Sequence, residues 1–520
     1  MKKFILLIVL FAGITAAMAY LYFSRLNRES DENNLPLIAI SESSGIVFRF
    51  QSDRSFYEIM GGQTLFNELL GERKSHELAL IQEHILSDPA LNALIAGEKI
   101  YAGVVPGTEK SLDLLFTSRL AAADQETVAG AIRKFKARQS GGTYELRLGD
   151  SAVFYLAVKE RMLAFSSNRE AVRKAAAAAP TAGDFATYIS ETARFNRNTL
   201  ANLFIDYRRV PALLEQMVAG KLNGELAVFG RQQSFAALNY NFSKERLVFY
   251  GSTSVRDSAE FLKLFAAATP KKMTISNLLP EGTANYTLYV VPDYKSWRSA
   301  FEGLLSQQKE IDAARSARNR VKEQYRIDPE RTFPAFFKEQ MISFQLSTGE
   351  KLAAIDLKNG EKLGQLLIEM SADYAPDVKV FKDAGLLYSY FGKPFERFER
   401  PFYTIIDNYF VCANTASTVQ SFLNSYRNNR LLLQTENYTR LFDQLPNTAS
   451  VVFYVNQNNS TDVFRQNFYL PFYRQLRSED GLKNYTAFCY LLSGDKGKFQ
   501  TNIVLDKKPA AEADSLQTTN

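Results

Sequence analysis

Phe154-Tyr155-Leu156-Ala157-Val158 is followed, after four residues, by Leu163-Ala164-Phe165-Ser166-Ser167. The same arrangement returns later in the chain as Pro401-Phe402-Tyr403-Thr404-Ile405 and Phe410-Val411-Cys412-Ala413-Asn414, at a constant offset of 247 residues (154 to 401). Each run is rich in aromatic and β-branched side chains, which suit a pleated, half-buried surface. Two such runs joined by a short spacer read as a hairpin. A hairpin that occurs twice makes repetition the first question to ask of the fold.

Working outward, further pairs follow in order. Asp53 after Val47-Phe48-Arg49-Phe50 matches Asp293 after Thr287-Leu288-Tyr289-Val290, at 240. Asp88-Pro89 matches Asp328-Pro329, and Leu112 in Leu112-Asp113-Leu114-Leu115-Phe116 matches Leu352 in Leu352-Ala353-Ala354-Ile355-Asp356, both again at 240. Phe235-Ala236-Ala237-Leu238, with Tyr240 and Ser243, matches Tyr485-Thr486-Ala487-Phe488, with Tyr490 and Ser493, at 250. An offset that grows in small steps is what loop insertions produce. The expectation is a duplicated unit, residues 35–270 and 271–506, with Asp53 on Asp293 and Phe165 on Cys412.

One unit then reads twice. It opens with a strand, 46–50 or 285–291, and continues into a helical arm. In the second copy Trp297, Phe301, Leu304 and Leu305 recur at i, i+4, i+7 and i+8, one face of a helix. The arm runs on through Gln307–Gln324 and breaks before Asp328-Pro329, because proline lacks an amide donor and disfavours helix in its predecessor. Strands follow at 98–105 and 111–117, or 340–346 and 351–357. A helix near 125–137 or 360–371 leads to a three-stranded meander whose last two strands are the hairpin quoted above. Leu200–Asp206 or Ser450–Asn456 comes next, and a hairpin closes each copy, 233–242 with 246–253 and 483–492 with 498–505. Ser243-Lys244-Glu245 and Ser493-Gly494-Asp495-Lys496-Gly497 are polar enough to turn them. Strands and helices mix without strict βαβ alternation, so the fold class is α+β with mainly antiparallel sheets. From Lys507 onward no apolar periodicity remains, which predicts a disordered tail over 507–520.

The N-terminus carries a different signal. After Met1-Lys2-Lys3, only Gly13 and Thr15 fall outside the apolar set between Phe4 and Phe23. Twenty helical residues span about 30 Å, the hydrocarbon thickness of a bilayer. Ala17-Met18-Ala19 has the form of a signal-peptide cleavage site, yet Tyr20-Leu21-Tyr22-Phe23 extends the run past it, and tyrosine suits the membrane interface. Retention as a signal anchor is the favoured reading and cleavage the alternative. Residues 1–34 are thus expected to be a transmembrane helix and short tether, in the inner membrane with the large domain in the periplasm; the alternative is secretion to the periplasm.

Composition narrows the chemistry. The formal charge of +6 over 520 residues is too dilute for a nucleic-acid binder. Two Cys rule out a disulfide scaffold or thiolate metal cluster, and two His disfavour imidazole chemistry. His76 and His84 lie eight apart, beside Glu77 and Glu83, without the i, i+4 spacing of the His-Glu-x-x-His motif. They read as solvated helix residues. Cys412 and Cys489 stand where the first copy has Phe165 and Asn239, so free, buried thiols are expected, with a disulfide the alternative outside the cytoplasm. No Gly-x-Ser-x-Gly, Walker-type loop or dinucleotide fingerprint is present. Asp206 has Asn456 as its counterpart, which favours a structural carboxylate over a glycosidase acid. The arm from Lys309 to Lys322, with Arg315, Arg318 and Arg320 among Glu310 and Asp312, reads as a solvated face.

The apolar N-terminal run, the unit built twice, Leu279-Pro280 and Leu445-Pro446 ahead of strands, and aromatic strands leading into short helices together resemble an uncharacterised family of exported, membrane-anchored bacterial envelope proteins. That family is a domain of unknown function found in Bacteroidota and cyanobacteria. The resemblance spans most of residues 36–506 and implies export and membrane attachment; it brings no active-site residues. Asp150-Ser151-Ala152, Asp257-Ser258-Ala259 and Asp514-Ser515-Leu516 resemble the Bacteroidota O-glycosylation sequon, and Ser515, in the tail, is the candidate. No catalytic, cofactor or metal residues are assigned. The expected function is non-catalytic, a binding, scaffolding or chaperone-like role in the envelope with a protein or lipid partner; the alternative is an envelope hydrolase acting on glycan or peptide.

Overall fold

The computed structural model describes residues 34–508 except 52–63, 87, 109, 122–127, 129, 131, 136, 150–151, 194–200, 220–231, 243–244, 257–259 and 479–480. The expected anchor, Asp53 and Ser515 lie outside the described residues. Among the described residues no helix is long and apolar enough to cross a membrane. The chain divides into two compact units. Residues up to 64, 73–108 and 112–201 form the first; 65–72, 109–111 and 202 onward form the second. Helices and antiparallel sheet together make an α+β architecture, as the mixed pattern of runs requires.

In the first unit the strands are β1 (Ile46–Gln51), β2 (Lys99–Pro106), β3 (Leu112–Arg119), β4 (Arg138–Ser140), β5 (Thr143–Leu148), β6 (Ala152–Lys159) and β7 (Met162–Ser166). They pair antiparallel in the order β4-β5-β6-β7-β3-β2-β1. One face is covered by the helix Leu35–Ser43, which sequence periodicity missed because nearly every residue of it is buried and no polar stripe marks a face. Thr117 of β3 donates to the Pro36 carbonyl at 2.8 Å, fixing this helix to the sheet. Asp88 caps the short helix Pro89–Ile95, accepting from the amides of Ala90 and Leu91, with proline at its first turn where no donor is needed.

The second unit contains β8 (Ala201–Asp206, from its second residue), β9 (Ser234–Phe242), β10 (Arg246–Val255), β11 (Lys271–Lys272), β12 (Thr283–Val290), β13 (Phe337–Leu346), β14 (Lys351–Leu357), β15 (Ser371–Ala375), β16 (Val378–Phe381), β17 (Phe402–Ile406), β18 (Tyr409–Ala413), β19 (Thr448–Ala449), β20 (Val451–Asn456), β21 (Tyr485–Asp495) and β22 (Lys498–Lys507). Its main sheet runs β15-β16-β17-β18-β14-β13-β12-β20-β21-β22-β10-β9-β8. β11 and β19 form a separate ribbon. The last hairpin turns on Lys496-Gly497 alone, both at positive φ (52° and 89°), as a type I′ connection demands. Ser493, Gly494 and Asp495, which the sequence reading assigned to the turn, continue the ladder opposite Gln500, Phe499 and Lys498.

The boundary between compact units falls at Ala201/Asn202 because of one pairing. β10 carries nine consecutive register pairs with β22, from Arg246↔Asp506 to Ser254↔Lys498. Asp506 is fully buried there, held by Arg246 Nε at 2.8 Å, Arg440 at 2.6 Å and the Thr486 hydroxyl at 2.6 Å. Two guanidiniums and a hydroxyl satisfy a carboxylate that is otherwise costly to bury.

Register also revises one match. Leu115 lies opposite Ser166, whereas Leu352 lies opposite Ala413, the residue 247 after Ser166. The Leu120 amide donates to the Arg161 carbonyl, and the Leu357 amide to Asn408, again 247 apart. The position of Leu352 is therefore that of Leu115, not Leu112. Apolar residues at 112, 114 and 115 offered two registers three residues apart, and only the neighbouring strand selects one.

Candidate functional site

β5, β6 and β7 turn Leu146, Leu156, Leu163 and Phe165 to one face, since residues directly opposite in a ladder share a side and the pleat repeats every two residues. Phe116 of β3, opposite Phe165, and Ile100 of β2 extend this face. Across from it stand Leu91, Leu94 and Ile95 of the Asp88-capped helix, Ile81 and Ile85 ahead of it, and Val128, Ile132 and Phe135. The walls do not meet. They enclose a cavity of about 70 Å³ whose lining contains no titratable side chain. Of its two hydroxyls, Thr117 is committed to Pro36 and Ser118 donates to the Lys99 carbonyl at 3.0 Å.

Such a space holds water poorly, because water needs two or more polar partners. At about 24 cal/mol per Å³, a cavity of this size costs on the order of 2 kcal/mol relative to a filled core. The same register positions in the second sheet carry rings. Leu146 lies opposite Phe154, and Phe381 donates its amide to Pro401, the equivalent of Phe154. Leu156 and Leu163 correspond at 247 to Tyr403 and Phe410. Phe381, Tyr403 and Phe410 stack with centroids 4.8, 4.9 and 6.0 Å apart. Phe333, just after Asp328-Pro329, closes over Phe381 and Phe410 at 6.3 and 6.1 Å. The Tyr403 hydroxyl meets Ser371 Oγ at 2.7 Å, and burial pushes its pKa up to about 12. What is solid in one unit is hollow in the other.

Beside the cavity lies a second hollow, a cleft of about 430 Å³ lined by His84, Phe135, Arg138, Glu145, Arg147, Leu148 and Gly149. Phe135 belongs to both. His84 sits in a π-helical turn, Gln82–Leu86, that reshapes the arm before Asp88. His76 is exposed.

The other residues weighed from sequence take structural places. Cys412 and Cys489 are free and buried, and burial raises both thiols well above their ordinary range. Asp206 is fully buried, accepting from the Arg208 amide at 3.1 Å and pairing with the Arg208 guanidinium at 2.8 Å. The basic arm is not a uniformly solvated face. Arg318 is 8 % exposed, bonded to Glu302 at 3.0 Å and to the Ser389 carbonyl at 3.1 Å, while Arg298 lies 4.6 Å above the Tyr390 ring and pairs with Glu330. Mixed charge on a helix does not say which cation a neighbouring element will cover. Among the described residues no cluster of His, Cys, Asp or Glu is arranged to hold a metal ion.

The cavity residues themselves were not singled out from sequence. The available signal was the contrast Leu156/Tyr403 and Leu163/Phe410 within the repeated hairpin, a loss of volume at matched positions. Comparison with family models, curated proteins and solved structures finds no match for this chain.

Proposed function

We propose that this chain is a non-catalytic binding protein of the cell envelope, held to the inner membrane by residues 4–23 and taking an apolar ligand into the cavity of its first unit. One observation carries the reading: an enclosed apolar space with no titratable group in its lining, at positions where the second unit packs aromatic rings. A lining of this kind lowers free energy by burying a ligand's apolar surface and has no acid, base or nucleophile with which to transform it.

The envelope location rests on the length and composition of the N-terminal run. The reading also takes the chain as two tandem copies of one α+β unit, 35–270 and 271–506. Strand order supports this, since β4-β5-β6-β7-β3-β2-β1 has the same connectivity as β15-β16-β17-β18-β14-β13-β12. The runs β8-β9-β10 and β20-β21-β22 also agree. The compact division at 201/202 reflects where the first copy's closing hairpin pairs, not where the repeat ends.

The test is equilibrium dialysis of radiolabelled octanol against full-length protein in phosphatidylcholine nanodiscs, with protein-free nanodiscs subtracted. Saturable binding that Leu156→Phe abolishes is expected; no saturable binding by the unaltered chain overturns the reading. N-terminal sequencing of the membrane fraction checks the anchor: a start at Met1 is expected, and a start at Tyr20 in a soluble periplasmic fraction refutes it.

A further inference from the structure

We infer that the cleft beside the cavity receives the head group of the same ligand, and that this head group is anionic: the ligand is a single-chain amphiphile bearing a carboxylate or phosphate. This rests on the apolar-ligand reading above and adds the polarity of the ligand to it.

The cavity alone is small. About 70 Å³ accepts the end of an alkyl chain, so the remainder of any longer molecule has to leave through a neighbouring space. Phe135 is the wall common to the cavity and the cleft of about 430 Å³, so it marks where a chain passes from one to the other. The change in chemistry across that ring is abrupt. On one side every group is apolar or has its hydroxyl committed; on the other are Arg138, Arg147, Glu145 and His84.

Charge in the cleft is unbalanced. Arg138 and Glu145 are opposed across β4 and β5, which sets one carboxylate against one guanidinium. Arg147 follows on β5 with no carboxylate within ion-pairing distance among the described residues, leaving the cleft net positive with His84 neutral. A guanidinium presents a planar fork of donors suited to carboxylate or phosphate oxygens. An ammonium head would meet two like charges, and a neutral head would gain no charge-assisted bond.

Octanoate and octanol share a chain and differ in the head, so dialysis of each against the full chain in phosphatidylcholine nanodiscs separates the two halves of the site. Octanoate is expected to bind at least about tenfold tighter than octanol at low salt. The double variant Arg138→Gln/Arg147→Gln should bring octanoate within about twofold of octanol while octanol binding stays as it was. Leu156→Phe should remove both. Inorganic phosphate should compete weakly, because it lacks the chain. Equal binding of octanoate and octanol by the unaltered chain, or an octanoate preference that persists in the double variant, overturns the anionic head group and leaves the cavity reading intact. Phosphate that binds as tightly as octanoate shows a free-anion site independent of the cavity and also overturns it. Failure of both amphiphiles to bind sinks the cavity reading, and this inference with it.

Discussion

Leu146, Leu156 and Leu163 in the first unit and Phe381, Tyr403 and Phe410 in the second hold the same places in strands of the same order, yet one set borders a void and the other a stack of rings. The backbone does not force the difference, because pairing around the two hairpins is residue-for-residue the same, Tyr155↔Ser166 against Phe402↔Ala413. Side-chain volume does. A Leu in place of Phe or Tyr removes several heavy atoms from a layer between sheet and helices, and interiors close such gaps only in part. The comparison teaches that a binding cavity needs no new backbone: three smaller side chains on an existing face suffice.

The comparison breaks first where the filled unit is emptied. Phe410→Ala removes a fully buried ring from the stack and is expected to cost about 3–5 kcal/mol, read by urea unfolding followed with hydrogen exchange in peptides of the second unit. Leu156→Ala, at the wall of an existing cavity, should cost less, about 2–3 kcal/mol in peptides of the first unit. Equal losses at the two sites would mean that the first unit is packed as tightly as the second.

Tyr403→Phe keeps the ring and deletes its hydroxyl, leaving buried Ser371 without its partner at 2.7 Å. A loss of about 1–2 kcal/mol is expected from the unfolding midpoint. No loss would assign the stability of this layer to ring packing alone. The converse change, Leu156→Phe, carries the aromatic solution into the first unit. It should be neutral or stabilising by up to about 1 kcal/mol in the absence of ligand, and a loss above about 2 kcal/mol would show that the void has no room for a ring.

The smallest effect concerns a buried carboxylate next to the filled layer. Asp356 on β14 accepts from the amides of Glu339 and Gln340 at 3.0 and 2.6 Å, where the register of β13 shifts. Burial raises its pKa, outweighing those two amide bonds. A carboxyl with a raised folded pKa contributes stability that is complete below its unfolded value and is lost as pH rises through the folded one. Asp356→Asn preserves the acceptor and removes the titration. The variant should gain on the unaltered chain as pH is raised from about 4 to 7, by no more than about 1 kcal/mol, in thermal unfolding across that range. A difference independent of pH would locate the titration elsewhere.

Much of the local structure was legible before any coordinates. Trp297, Phe301, Leu304 and Leu305 are all buried on the helix Tyr294–Gln307, as their spacing requires. Asp88-Pro89 and Asp328-Pro329 each open a helical turn, and the strand pair around Asp407-Asn408 falls within a residue of its expected span. These features depend on a few neighbouring residues, and side-chain period, proline geometry and capping are properties of short segments.

What the sequence by itself determined is thus the inventory of elements and the face each one buries. Only the tertiary structure decided which of two registers three residues apart β3 adopts, that β10 lies along β22, that Arg318 is covered while its neighbours are not, and that Leu156 borders empty space. Alternation says that a side chain points inward, and it says nothing of what stands opposite. Strand partners, buried charges and cavities are set by the meeting of surfaces far apart in the chain, where the volumes of both walls enter together.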